Sequence, residues 1–136
     1  MISPKIIKIA SNTNYNGLEN KFTHKSSVKN SLCGDLIKTE FILEKSKIKS
    51  MRYETEACIL CEASASLFAK KIKNKNFKSL IKKIKELKKR ILVFDKKFPK
   101  SFNEFNQLID EKNKSRLNCV ILPMEAFLKA FKINTK

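Results

Sequence analysis

The order of elements along the chain predicts an α+β fold, a small antiparallel sheet of about three strands with helices packed on one face. Three observations carry this. Residues 36–43 and 48–55 both alternate with period two, and the short polar run Lys45-Ser46-Lys47 joins them as a hairpin would. From Ala57 onward the apolar residues recur at the three-to-four spacing of amphipathic helices. No strand pattern returns after that point, so no parallel crossover is expected.

At the N-terminus, Ile2, Ile6, Ile7 and Ile9 with Pro4 near the start predict a short docking helix over residues 2–10. Residues 12–20 carry Asn12, Asn14, Asn16 and Gly17 and read as a turn-rich connector. Phe22 and Val28 among polar neighbours suggest an edge strand within residues 21–30. In the first hairpin strand Ile37, Thr39, Phe41 and Leu43 share one face, with Lys38 and Glu40 on the opposite, solvated one. In the second, Met51, Tyr53 and Thr55 oppose Ser50, Arg52 and Glu54. A helix is expected over residues 58–73, with Leu60, Ala63, Leu67 and Ile72 near one stripe and the small run Ala63-Ser64-Ala65-Ser66 allowing close packing. Phe77, Leu80, Ile81, Ile84, Leu87 and Ile91 then define a strongly amphipathic helix with a lysine-rich face, read as a solvated face over a core stripe. After Pro99, Ser101 and Glu104 have capping-box spacing ahead of a short helix bearing Phe102, Phe105, Leu108 and Ile109. Residues 111–115 read as a polar link, and Pro123 opens a last helix carrying Met124, Phe127, Leu128 and Phe131. No repeat or linker divides the chain, so residues 1–136 are expected to form a single domain.

Composition narrows the function. The 136 residues carry a formal net charge of +17, yet 42% are hydrophobic, which excludes a disordered basic tail. Only three of the 30 basic residues are arginines, Arg52, Arg90 and Arg116, a poor match to base readout by guanidinium forks. The charge therefore reads mainly as a lysine-rich surface, with an acidic partner as the functional alternative and nucleic acid the least favoured one. No segment approaches the ~20 apolar residues of a membrane span, and the N-terminus lacks the apolar centre of a signal peptide, so a cytoplasmic, reducing location is expected. With two glycines there is no phosphate-cradling motif.

Four cysteines in a reducing compartment point to ligands or nucleophiles rather than disulfides. Cys33-Gly34-Asp35 precedes the first hairpin strand, and its i, i+2 spacing in extended chain directs both side chains to one face. Cys58 sits where strand gives way to helix, and Cys119 just ahead of the C-terminal helix. Helix starts favour the thiolate, the form that binds metal and attacks sulfur. Three thiolates and one carboxylate would suit zinc or an iron–sulfur cluster; the plain alternative is four small buried hydrophobes. Cys58-Ile59-Leu60-Cys61 is also a CxxC, but no βαβ unit surrounds it, and a zinc ribbon with four cysteine ligands would need a second CxxC that does not occur. His24, the one histidine, lies in a polar stretch and is assigned to no site.

Cys33-Gly34-Asp35, Ala57-Cys58 leading into Ala63-Ser64-Ala65-Ser66, and Arg116-Leu117-Asn118-Cys119 ahead of an amphipathic helix resemble, in order, the motifs of the IscU/SufU/NifU N-terminal family of iron–sulfur cluster assembly scaffolds. Asn12-Thr13-Asn14-Tyr15-Asn16-Gly17 is similar to that family's Asn-Pro-x-Asn-x-Gly, with Thr13 in place of proline. Cys58 and Cys119 are 61 positions apart, and Arg116 stands three residues before the third cysteine with Asn118 rather than histidine directly before it; both features are similar to the SufU-like branch.

The resemblance implies an α+β fold in which Cys33, Asp35, Cys58 and Cys119 converge at one exposed end. It implies a scaffold or carrier rather than an enzyme, which takes persulfide sulfur from a cysteine desulfurase on Cys33, binds iron, and holds a transient [2Fe-2S] cluster for apo-protein recipients. Arg116 is implied in support, and Asp35, a hard oxygen among soft thiolates, as the ligand that lets go first. The SufU-type alternative is a zinc-dependent sulfurtransferase in which the same four side chains hold Zn2+. Cys61 stands where the family usually has a small residue, and reads first as a buried spectator, with a substitute ligand or a resolving thiol as alternatives.

Overall fold

In the computed structural model, which describes residues 3–32 and 34–133, the hairpin closes through two residues with left-handed backbone, Lys45 (φ 52°) and Ser46 (φ 66°). Two consecutive positive φ angles match the right-handed twist of the strands they join. They connect β2 (Leu36–Glu44) to β3 (Lys47–Glu56), and β1 (His24–Lys29) pairs with the other side of β2, giving an antiparallel sheet in the order β1-β2-β3. Phe41 faces Met51 and Thr39 faces Tyr53 in register, with a shift between Ile42 and Leu43. That bulge brings Ile48, three residues before Met51, into the same buried layer as Met51 and Tyr53.

The outer edge of β3 is covered from both ends. Residues 15–17 bond to Tyr53 (Gly17 N–H to its carbonyl, 2.7 Å; its N–H to the Tyr15 carbonyl, 3.2 Å), and the chain around Asn74 and Lys75 bonds to Ile48 at 2.6 and 3.1 Å. An edge so covered offers no template for a foreign strand. The asparagine-rich connector is thus part of the sheet rather than a tether. It also overturns the expectation that Glu40 is solvated: Glu40 is buried, and its carboxylate accepts the N–H groups of Glu19 and Asn20 at 2.8 and 3.0 Å. Arg52 completes the clamp by donating to the carbonyls of Asn14, Asn16 and Gly17. Gly17 has φ 99°, which only glycine adopts without strain.

Helix α1 (Pro4–Ala10) starts at Ser3, whose hydroxyl accepts the Ile6 N–H. It packs on α2 (Ile59–Ile72), the central helix, which the sheet, α1 and the C-terminal helices cover on nearly all sides. For that reason its apolar stripe is broader than the sequence reading: Cys61, Ser64, Phe68 and Ala69 are buried as well. In α3 (Phe77–Leu92), capped by Asn76, the stripe Leu80, Ile84, Leu87 and Ile91 is buried, and the lysines take the remaining face. No helix among the described residues is long and apolar enough to cross a membrane.

The 100–116 stretch departs from expectation. Lys100–Leu108 is a 3-10 helix with Phe102, Phe105 and Leu108 buried, and the Ser101–Glu104 capping box does not form: Pro99 occupies the cap position, and the Glu104 carboxylate is drawn to Lys71 on α2. The polar link is a second 3-10 helix, Glu111–Arg116, closed by reciprocal Asp110–Asn113 bonds of 2.9 and 3.0 Å. Two short helices follow, α4 (Leu117–Val120) and α5 (Leu122–Ala130). His24 opens β1, the edge strand expected within residues 21–30, its ring 4.3 Å from that of Phe131.

The Lys71 ammonium holds the Glu104 carboxyl below its ordinary range. The stability this pair adds is therefore present above about pH 4.5 and lost as the pH falls through the depressed value. Glu104 is well exposed, so Glu104→Gln is expected to lower stability at neutral pH by less than about 1 kcal/mol and to reduce its loss on acidification. Urea denaturation at pH 7 and pH 3 reads this; an unchanged pH dependence in the variant would show the pair to be inert.

Candidate metal centre

Three donors from distant parts of the sequence meet beside the start of α2. The Asp35 carboxylate, the Cys58 thiol and the Cys119 thiol each present a ligand atom within 4.8 Å of the others. Asp35 is positioned by the loop before β2: the Leu32 N–H donates to the Asn30 side chain (2.9 Å), the Gly34 N–H to the Asn30 carbonyl (2.8 Å), and the Asn30 N–H to the Asp35 carbonyl (2.7 Å). Gly34, at φ 76°, allows that reversal.

Cys58 is the N-cap residue of α2 and its thiol caps no backbone group of that helix. Instead the Cys58 N–H donates to Asp35 Oδ1 at 3.3 Å and its thiol to Asp35 Oδ2 at 3.4 Å. Cys119 lies in α4 and is buried, and Cys58 is the most accessible of the three. Asp35 is only 7% exposed, and among the described residues no lysine or arginine forms an ion pair with it. A carboxylate so enclosed, with two thiols as near neighbours, calls for a cation. Two sulfurs and one oxygen at this separation fit zinc or iron by donor chemistry, and do not select between them.

The sequence reading put four side chains in this place. Asp35, Cys58 and Cys119 are brought together; Cys33 lies outside the described residues. Cys61, one turn along α2, is fully buried in the hydrophobic core and is not one of the converging donors. Arg116 is exposed at the start of α4, with no ion pair among the described residues. What the sequence reading missed is the work of the serines in the small run. The Ser64 hydroxyl donates to the Val120 carbonyl at 2.5 Å, and the Ser66 hydroxyl to the Asn12 carbonyl at 3.0 Å. Serine rather than alanine at two fully packed helix positions was the signal.

Among solved structures, the N-terminal part of a nitrogen-fixing NifU-like protein from Brucella abortus superposes with a TM-score of 0.82 at 19% identity, covering 96% of this chain and 91% of that one. A protein from thermophilic Fervidobacterium islandicum AW-1, assigned as an iron–sulfur cluster assembly scaffold for the SUF system, gives 0.81 at 19% identity, covering 95% of each chain. These likenesses establish the fold. No curated protein matches at the sequence level. The profile of the NifU-like N terminal domain matches residues 1–130, nearly the whole chain, and the chain belongs to that family.

Proposed function

We propose that this protein is a scaffold for iron–sulfur cluster assembly, and that it acts as a carrier rather than a catalyst. The observation that supports this best is the meeting of Asp35, Cys58 and Cys119 in a family member. In this reading Cys33, Asp35, Cys58 and Cys119 hold the cargo. The Cys33 thiolate attacks the outer sulfur of a cysteine desulfurase persulfide; the S–S bond breaks, the desulfurase thiolate leaves, and the sulfur remains on Cys33 as a persulfide. Iron joins on the remaining ligands, each sulfur so delivered takes two electrons from an external electron carrier or dithiol to become bridging sulfide while the Cys33 thiolate is released, and the resulting [2Fe-2S] cluster is passed to an apo-protein. Arg116 stands beside this region in sequence as a supporting cation.

The 61-position separation of Cys58 and Cys119, spanned by α2, α3 and both 3-10 helices, favours one second reading. In it the four side chains hold Zn2+ and the protein relays sulfur from the desulfurase as a SufU-type sulfurtransferase.

Anaerobic purification followed by metal and sulfide analysis separates the two. Iron with sulfide and a visible absorption spectrum supports the scaffold; one colourless zinc supports the relay. In either case Cys58→Ser is expected to weaken metal binding about 100-fold, since a four-ligand thiolate-rich site is worth roughly 12 kcal/mol and one ligand a share of it. Metal retained with unchanged affinity in both Cys58→Ser and Cys119→Ser would overturn the metal reading.

A further inference from the structure

The segment that carries Cys119 is broken immediately after it. Pro123 has no N–H, so the ladder of an uninterrupted helix cannot run on through this point. The Val120 carbonyl is left without its helical donor, because the Met124 N–H turns to the Ile121 carbonyl at 3.0 Å. Val120 is fully buried, and an unpaired carbonyl there would be costly. Its partner is instead the Ser64 hydroxyl, 2.5 Å away on α2 and itself fully buried.

A helical serine ordinarily bonds back to a carbonyl of its own helix. Here the bond crosses to another element, and the two elements it joins are those that carry Cys58 and Cys119. We propose that Ser64 is a positioning residue for the metal centre: by holding the Val120 carbonyl it fixes the break between α4 and α5 that sets Cys119 against Cys58 and Asp35. The inference rests on the reading of those three side chains as metal ligands. Ser66, two residues on, supplies an internal control. It makes the same kind of bond, hydroxyl to backbone carbonyl from a buried position, but to Asn12, which belongs to the N-terminal connector. The Ser66 hydroxyl also meets that of Tyr53, so its loss removes at least as much bonding; of the two serines, Ser64 is the one bonded to the Cys119 segment.

The test is anaerobic titration of the reduced full chain with Co2+, followed by competition with Zn2+, on the wild type, Ser64→Ala, Ser66→Ala and Pro123→Ala. The wild type is expected to show thiolate-to-cobalt charge-transfer bands and visible ligand-field bands. Ser64→Ala is expected to bind Co2+ 10- to 100-fold more weakly, the usual effect of losing a group that orients a ligand, with shifted ligand-field bands. Ser66→Ala is expected to lose similar thermal stability but to keep affinity within about threefold and the spectrum unchanged. Pro123→Ala supplies an N–H at the helix break, tends to straighten it, and is expected to shift the spectrum as Ser64→Ala does; it keeps the test decisive if Ser64→Ala does not fold. Equal metal affinities and spectra in Ser64→Ala and Ser66→Ala, or a wild-type spectrum in both folded Ser64→Ala and Pro123→Ala, would overturn the positioning role while leaving the metal centre standing. A wild type that binds no Co2+ would overturn the metal reading itself.

Discussion

Phe127→Ala is expected to destabilise the protein by about 3–5 kcal/mol, the usual cost of truncating a fully buried phenylalanine. Phe127 has no exposed surface and stands at the centre of an aromatic cluster. Its ring meets Phe41 edge-on at 5.4 Å, Phe68 edge-on at 6.0 Å, Phe77 at 6.0 Å and Phe131 at 4.9 Å. One side chain thereby ties α5 to the sheet, to the central helix and to α3. Its loss leaves a cavity walled by rings that belong to separate elements and cannot all close in, so the cost falls at the upper end for such changes. Domains of this size are stable by about 5–15 kcal/mol, and the variant would approach the folding threshold. Phe22→Ala, at a ring 37% exposed, is the matched comparison and should cost less than about 1 kcal/mol. Equilibrium urea unfolding of the two variants reads the difference. A loss below about 1 kcal/mol for Phe127→Ala would show that the cluster does not hold the sheet and helices together. Zn2+ in excess should restore part of the lost stability, because a ligand that binds only the folded chain stabilises it by mass action.

Phe127, Phe131 and Leu128 stand out in the sequence because a helix repeats every three to four residues, and the two hairpin strands because a half-buried strand alternates. Those periods report which face is covered, and they yielded the sheet, α2, α3 and the C-terminal helix. They do not report what covers a face. Glu40 alternates with Phe41 as a solvated residue would, and becomes buried only because a distant connector lies across it and supplies two N–H donors. Glu104 has the spacing of a capping box, but a lysine 33 residues away competes for its carboxylate and wins. The Asp110–Asn113 reciprocal cap was local and readable, yet hidden in a run so polar that it read as a link. For the metal centre the chemistry was legible in residue types: thiols at helix starts and a carboxylate ahead of a strand. Their meeting was legible only through the family resemblance: Asp35 reaches the start of α2 through the pairing of β2 with β3, and Cys119 through the packing of α4 on α2, and both depend on residues far away in the sequence.

Asp35→Ala is expected to act in opposite directions on the two candidate cargoes, which makes it the most discriminating single substitution in the chain. Asp35 is 7% exposed, beside two thiols, and its carboxylate accepts long bonds of 3.3 and 3.4 Å from Cys58. A [2Fe-2S] cluster on thiolates already carries excess negative charge, and a poorly hydrated carboxylate adds to it. The carboxylate is also the hard donor in a soft set, so it is the first to be displaced when a recipient's thiolate arrives. Alanine removes both the charge and the easy point of departure, and a reconstituted cluster should persist on the order of tenfold longer against an apo-protein acceptor, a barrier higher by about 1.4 kcal/mol. A single Zn2+ has the contrary requirement. It needs four donors and gains from each added negative charge, so its affinity should fall roughly 10- to 100-fold in the same variant. Cluster decay followed by absorption in the presence of an apo-ferredoxin, and Zn2+ affinity by competition with a chelator, read the two effects separately. Faster cluster loss in Asp35→Ala would mean that the carboxylate holds the cluster rather than releasing it. An unchanged Zn2+ affinity would remove Asp35 from the zinc ligand set, and leave the buried carboxylate with a purely structural duty at the start of α2.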